Sequence, residues 1–132
     1  MSPVFFSPLW YQTIKMQVLI IDASIRIIER LEEMISDLEK ITIIHRAVSS
    51  EEAGKLLKKI KYDVVLLDLD LIIHNPLKLL KEIKKNNKGS CVIVLFHQMG
   101  NYTQEQCKSL GVDFFFDKHY DFEKICGVID SL

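Results

Sequence analysis

The sequence predicts an α/β fold in which a five-stranded parallel sheet lies between two layers of helices. Five short apolar runs alternate with longer segments whose apolar residues step by three and four positions. The runs are apolar throughout, which indicates strands that are buried on both faces and therefore parallel. Right-handed crossovers leave few topologies for such a chain, and we expect the three-layer, doubly wound, flavodoxin-like one.

The first half of the chain supplies two strands and two helices. Residues 17–21 form an apolar strand that stops at Asp22, and Ser24 can cap the helix that follows. Residues 41–44 are rich in β-branched side chains and predict the second strand. The Ser-Ser-Glu-Glu sequence at 49–52 has capping-box spacing and predicts the second helix. The apolar positions of the two helix faces are Ile28, Leu31, Ile35 and Leu38, then Ala53, Leu56, Leu57 and Ile60.

The second half continues the alternation. Three further strands are predicted, at 64–67, 91–95 and 114–116. Pro76 suits the first turn of a third helix, and Gly111 suits the C-cap of a fourth that starts near Thr103. Asp121 is expected to cap the last helix. The apolar positions of the third and last helices are Leu77, Leu80 and Ile83, then Phe122, Ile125, Cys126 and Ile129.

Length and composition predict one domain at 16–132, preceded by an aromatic extension at 1–15. The extension contains Phe5, Phe6, Leu9, Trp10 and Tyr11 without a regular period. Two interpretations remain open for it. It is either a non-native or mis-started segment, or an arm that packs on its own domain or on a second copy of the chain.

Charge and residue usage exclude several classes of function. A net charge of −1 argues against non-specific nucleic-acid binding, which needs a basic excess. No apolar run approaches the roughly 18 residues of a membrane span, and the N-terminus lacks the pattern of a signal peptide. Three widely spaced cysteines indicate reduced core thiols and a cytoplasmic location. The four histidines lack the spacing of a zinc site.

Polar and aromatic residues follow the predicted strands at the edge where parallel strands end together. They are Asp22, Asp68, Phe96 with His97, and Lys118. A carboxylate beside a lysine keeps its charge and can act as a nucleophile. Clustered acids also repel one another unless a proton or a cation intervenes, and their oxygens suit Mg²⁺. The sequence therefore predicts a site at this edge of the sheet.

Three blocks of the sequence carry a family resemblance that covers 16–132. Residues 18–24 read as an apolar strand, an acid and two small residues, and residues 63–69 place Asp68 at the end of the third predicted strand. A later strand ends in Lys118, after Gly111 and Asp113. In these blocks and their spacing, the chain resembles the receiver domains of two-component response regulators.

The resemblance implies a signalling role. Asp68 would accept a phosphoryl group, Lys118 would pair with its carboxylate, and Mg²⁺ would be held by Asp22, Asp68 and the backbone carbonyl of Asp70. The implied partners are a sensor histidine kinase or phosphotransfer protein and a downstream protein, with a homodimer also compatible and no nucleic acid or membrane. Any chemistry would be at most self-phosphorylation and dephosphorylation.

The chain departs from the family pattern at four places. Ala23 replaces the second acid, which predicts weakened Mg²⁺ binding unless the Asp70 side chain turns inward to compensate. Phe96 replaces the hydroxyl residue that drives the switch, and Phe115, at the position of the switch aromatic, could pair with it. His119 replaces the proline after the lysine, which predicts a trans Lys118–His119 bond. Residues 75–76, Asn-Pro, replace an acid-glycine pair.

Two other functions therefore stay open. One is a degenerate receiver that accepts no phosphate and works as a phosphorylation-independent interaction module. The other, more distant, is a flavodoxin-like domain that binds a small molecule or cofactor at the same sheet edge, although the sequence has no glycine-rich or hydroxyl-rich phosphate loop.

Overall fold

The computed structural model describes residues 15–71, 76–97 and 104–132, except for the side chains of residues 76 and 77. The predicted extension at 1–15 lies almost wholly outside these residues, as do His74, Asn75 and Thr103. The strands are β1 (Met16–Ile21), β2 (Ile41–Ala47), β3 (Val64–Asp68), β4 (Cys91–Phe96) and β5 (Phe114–Asp117). The α-helices are α1 (Ile25–Ser36), α2 (Ser50–Lys59), α3 (Pro76–Asn86), α4 (Gln104–Ser109) and α5 (Lys124–Ser131), and a 3₁₀ helix spans Leu69–Leu71.

The strands form one parallel sheet in the order β2-β1-β3-β4-β5. This is the doubly wound topology that the sequence predicts. The order places β1, β3 and β4 at the centre, and β5 beside β4 at one edge. The carboxyl ends of β1, β3 and β5, which carry the predicted site residues, therefore lie along the same edge of the sheet.

Each face of the sheet has its own apolar core. Alternate residues of β1 show the division, since Leu19 and Ile21 face one core and Val18 and Ile20 face the other. Both cores are closed to solvent, and the central strands are buried along almost their whole length. The first core includes apolar residues of α2, α3 and α4, and the second includes those of α1 and α5. Burial on both faces explains the apolar runs of the central strands. The prediction that all five strands are buried in this way is wrong for β2 and β5, which lie at the edges of the sheet and are partly exposed.

The predicted helix starts and stops are mostly confirmed. Ser24 Oγ accepts a hydrogen bond from the Ile27 N–H at 3.4 Å, and Ser49 Oγ accepts one from the Glu52 N–H at 3.1 Å. The Glu52 carboxylate reaches back to the Val48 N–H, one residue before the position that a strict capping box would use. Gly111 follows α4 with a φ of 94°, the left-handed conformation expected of a C-cap glycine.

The prediction that Asp121 caps the last helix is wrong. Helix α5 begins at Lys124, and its N-cap residue, Glu123, makes no side-chain cap bond. The carboxylate of Asp121 instead accepts the Asp117 N–H at 2.9 Å and pairs with Lys124. The acid is therefore used to close the loop between β5 and α5.

Smaller differences concern burial and length. Strand β2 continues to Ala47 because its pairing with β1 extends to Ile21. Leu79, which the helical pattern did not single out, is buried in α3 beside Leu80 and Ile83. Leu38, Leu56, Ile60 and Cys126 are only partly buried. Within the described ranges, no helix combines the length and the apolar character that crossing a bilayer requires.

Candidate functional site

Three charged side chains meet at the carboxyl edge of the sheet, as the sequence predicts. Lys118 Nζ lies 2.8 Å from Asp68 Oδ1 and 3.1 Å from Asp22 Oδ2. The two acids are almost fully buried, with 2% of Asp22 and 4% of Asp68 exposed, and the Lys118 side chain is 13% exposed. Two carboxylates thus share one ammonium group in a setting that largely excludes water.

Local backbone geometry holds each acid in place. Asp22 Oδ1 accepts the Ser24 N–H at 2.8 Å, which fixes the carboxylate just before α1. Asp68 Oδ1 accepts the Asp70 N–H at 2.9 Å, in the 3₁₀ helix that follows β3. Lys118 is anchored through its own N–H, which donates to the Phe96 carbonyl oxygen at 2.9 Å. The trio is therefore oriented by main-chain contacts from three loops.

The two oxygens of Asp68 are not equivalent. Oδ1 accepts from both Lys118 Nζ and the Asp70 N–H. Oδ2 makes no hydrogen bond to another residue of the described ranges. The contacts within these ranges therefore hold one oxygen of Asp68 and not the other, a distinction that the sequence could not supply.

Burial and charge act on the titration of this trio in opposite directions. Burial raises the pKa of the Asp68 carboxyl, the hydrogen bond from Lys118 opposes the rise, and the charge of Asp22 adds to it. Burial works to lower the pKa of Lys118, but the hydrogen bond and charge of Asp68, helped by Asp22, outweigh it, so that its pKa is raised. Lys118 is consequently a cation at neutral pH.

The donor set at this edge suits a hard cation with few protein ligands. Asp22 Oδ2 is buried and has no hydrogen-bond partner of good alignment besides its ion pair with Lys118. Nowhere in the described ranges do three His, Cys, Asp or Glu side chains form a group able to hold a metal. Mg²⁺ commonly takes one or two carboxylates and fills its remaining positions with water and substrate oxygens, so two acids and a backbone carbonyl fit it.

Two arrangements that the sequence left open around the trio are not observed. The Asp70 carboxylate does not turn inward to replace the acid missing at Ala23, because its Oδ2 accepts the His97 N–H at 2.9 Å. Phe96 and Phe115 are both partly buried against the first core, but they form no ring pair with each other. Adjacent strands place the two side chains near the same core without bringing their rings face to face.

The rim of the site holds an aromatic contact that spacing did not reveal. The rings of His97 and His119 lie 4.5 Å apart in an edge-to-face arrangement, and both residues are exposed. The Asp117 carboxylate supports this loop by accepting the His119 N–H at 2.7 Å. The Lys118–His119 peptide is trans, as predicted, since the described residues contain no cis bond. The sequence signal for this loop was Asp117, the acid that directly precedes Lys118.

Comparison with known proteins decides the family. The model of the response regulator receiver domain matches residues 18–130, nearly the whole domain predicted from the sequence. The chain belongs to the response regulator receiver domain family. Receiver domains act in two-component signalling with histidine kinases and downstream effectors, and the family generally binds Mg²⁺.

The receiver domain has curated relatives that are much longer than this chain. It is 28% identical over 108 residues to a protein-glutamate methylesterase/protein-glutamine glutaminase of Clostridium acetobutylicum, covering 79% of this chain and 31% of the relative. A protein of the same name from Idiomarina loihiensis is 27% identical over 112 residues, covering 82% and 28%. The chain thus spans less than a third of either relative.

Solved structures agree on the fold. The signal receiver domain of a DNA-binding response regulator from Colwellia psychrerythraea superposes with a TM-score of 0.79 at 24% identity, covering 89% of this chain and 97% of that one. A Burkholderia pseudomallei response regulator with a phosphorylated aspartic acid, a calcium ion and citrate gives 0.75 at 22% identity, covering 84% of this chain and 64% of that one. These similarities confirm the receiver architecture predicted from the sequence.

Proposed function

We propose that this receiver domain accepts a phosphoryl group on Asp68 and signals through protein contacts. The observation that carries the proposal is the arrangement of Asp68, with Oδ1 held by Lys118 and by a backbone N–H while Oδ2 makes no such bond. One oxygen of the carboxylate is thus fixed and the other is available to attack. The similarity to a Burkholderia pseudomallei response regulator that carries a phosphorylated aspartic acid supports the same role.

The transfer is a displacement at phosphorus. Asp68 Oδ2 forms a bond to the phosphorus atom while the bond from phosphorus to the donor breaks, and the donor leaves with that electron pair. A histidine donor then takes up a proton, whereas an acyl phosphate leaves as a carboxylate that needs none. The donor is a phosphohistidine of a kinase or phosphotransfer protein, or a small acyl phosphate. The product is an aspartyl phosphate, which water later hydrolyses to the carboxylate and inorganic phosphate.

Lys118 provides the charge that the reaction needs. Its ammonium lies against Asp68 before transfer and is within reach of the phosphoryl oxygens afterwards, where negative charge accumulates. Because the main chain of Lys118 is bonded to the Phe96 carbonyl and its ammonium is held by both acids, little reorganisation is required. Asp22, Asp68 and the Asp70 carbonyl would hold Mg²⁺, and the ion supplies further neutralisation of the phosphoryl oxygens when bound. With Ala23 at the second acid position, that binding is weaker than in receivers with two acids there.

Phosphotransfer is tested by intact mass. The full chain is incubated with acetyl phosphate and Mg²⁺, alongside Asp68→Asn and Asp130→Asn. Asp130 is an exposed acid at the far end of α5, so its variant is a matched control for loss of one carboxylate. We expect one phosphoryl adduct on the wild type and on Asp130→Asn, and none on Asp68→Asn.

The same experiment identifies the alternative. If a donor that labels another receiver leaves all three proteins unmodified, Asp68 is not a phosphoacceptor. The domain would then act as a phosphorylation-independent interaction module. An adduct that survives in Asp68→Asn would place the reaction on another residue and would also refute the proposal.

A further inference from the structure

A second polar groove lies at the opposite edge of the sheet from Asp68. It opens beside the amino ends of β3 and β4 and has a volume of about 440 Å³. Its walls include Lys61, Asp63, Lys85, Asn87, Lys88 and Gly89. The volume is within the range of small-molecule sites. The length of β3, at about 3.3 Å per residue, separates this groove from Asp68 by about 15 Å.

The groove attracts anions. Lys61, Lys85 and Lys88 are all exposed at its walls, and Asp63 is the one acid among its lining residues. Asp63 is already engaged, since its Oδ2 accepts the Gln17 N–H at 2.8 Å. Three lysines and one acid therefore line the groove, which gives it a positive charge although the whole chain has a net charge of −1. Lysines grouped in this way commonly bind phosphate as point charges.

Asn87 adds a polar donor that lacks a partner. The residue is only 4% exposed, and its Oδ1 accepts the Tyr62 N–H at 2.9 Å, which fixes the orientation of the amide. Its Nδ2 is enclosed and has no hydrogen-bond partner. A buried donor left unsatisfied costs about 1–3 kcal/mol, so its presence in the wall of a groove calls for an acceptor. An anionic oxygen would supply one.

We propose that this groove binds a small compound bearing two or more phosphate groups. The three lysines contact its oxygens, and a small outward movement of the groove wall lets the enclosed amide of Asn87 donate to an oxygen at the base of the groove. Three cationic groups spread around about 440 Å³ suit a polyphosphate better than a single phosphate ion. The proposal is independent of Asp68, because the two sites lie at opposite edges of the sheet and share no residue.

The test uses the full chain and inorganic pyrophosphate. Binding is followed by calorimetry and by backbone amide NMR at constant ionic strength, with sulfate as the control anion. We expect saturable binding in which the amides of Lys88 and Gly89 shift, and at least fivefold weaker binding in Lys85→Gln and Lys88→Gln. Lys81→Gln removes an exposed charge from the same helix outside the groove and should change the affinity by less than twofold.

A further variant isolates the role of Asn87. Asn87→Asp keeps an oxygen for the Tyr62 N–H but replaces the unpartnered donor with a carboxylate oxygen, so it should abolish pyrophosphate binding; thermal unfolding checks that it folds. No saturable binding to the wild type at millimolar pyrophosphate would overturn the proposal. So would equal weakening by all three lysine variants, because that pattern indicates general attraction to a lysine-rich surface. If Asn87→Asp does not fold, the lysine variants alone decide.

Discussion

Removing Lys118 should destabilise the domain severely, because it would leave two buried carboxylates without a cation. Lys118→Met keeps the length of the aliphatic chain and deletes the ammonium that lies 2.8 Å from Asp68 and 3.1 Å from Asp22. Breaking a buried ion pair by removing one partner costs about 3–5 kcal/mol. That is a large share of the roughly 5–15 kcal/mol that holds a domain folded.

The loss should depend on pH in a defined direction. In the wild type the pKa of Lys118 is raised on folding, so its stabilisation is fully present below the unfolded pKa and is lost only as the pH rises through the folded value. In Lys118→Met, burial raises the pKa of the Asp68 carboxyl without the opposing effect of the lysine, and the folded state takes up a proton more readily than the unfolded chain. The deficit should therefore shrink from pH 7 towards pH 5.

Urea unfolding followed by circular dichroism measures both effects. Lys124→Met is the matched control, since Lys124 is 67% exposed and pairs with Asp121 at the surface, where an ion pair contributes about 0–1 kcal/mol. Adding Asp68→Asn to Lys118→Met should restore part of the loss by removing one unpaired charge. A loss below about 1 kcal/mol at pH 7, or one that neither acid pH nor Asp68→Asn reduces, would refute the buried trio as described.

Three further outcomes follow from the structure. Gly111→Ala should lower the free energy of unfolding by about 1–3 kcal/mol, measured in urea, because φ is 94° and the new Cβ would lie 2.7 Å from Lys84 Cε. Gly89→Ala is the control and should be near neutral, because no atom lies within 4 Å of a Cβ built there. Burial, together with the charge of Asp113, raises the pKa of Cys91 to about 11. Alkylation of Cys91 at pH 8, measured by mass spectrometry, should therefore be roughly 200-fold slower than that of a free thiol, and a rate equal to that of a free thiol would contradict this. Phe96→Thr should shift the inactive–active equilibrium of the phosphorylated domain by about 10–100-fold, since a hydrogen bond to a charged group contributes about 1.5–3 kcal/mol. The shift is measured as a larger phosphodonor-dependent change in amide hydrogen exchange around β4. An unchanged response would show that a hydroxyl at this position does not drive the switch.

The sequence predicts the frame of the site because its elements are strongly patterned. Each of the five predicted runs is observed within a parallel strand, although β2 also includes polar residues. Residues that directly follow parallel strands must share one edge, so the convergence of Asp22, Asp68 and Lys118 follows from their positions in the chain. The order of the strands did not follow from periodicity alone, since several orders bury the same residues.

Loop conformation is what the sequence could not supply. The contact between His97 and His119 depends on β4 and β5 being neighbours and on the path of both loops. The carboxylate of Asp121 has two competing uses, as a helix cap or as an acceptor within its own loop, and pattern alone favours the first. In the structure the carboxylate accepts the Asp117 N–H within the loop and does not cap the helix, which starts three residues later.

The position of Phe96 separates the chemistry of the site from its response. Lys118 is tied to this residue only through the backbone, by its N–H donating to the Phe96 carbonyl oxygen at 2.9 Å, and any residue at 96 can make that bond. The side chain can therefore lack a hydroxyl while the lysine stays against Asp68. A ligand shifts an equilibrium only by its difference in affinity for the two states. Without a hydrogen-bond donor in the side chain at 96, a phosphoryl group on Asp68 has fewer contacts that form in one state alone. Phosphorylation of Asp68 therefore need not shift the inactive–active equilibrium as it would with a hydroxyl residue at 96.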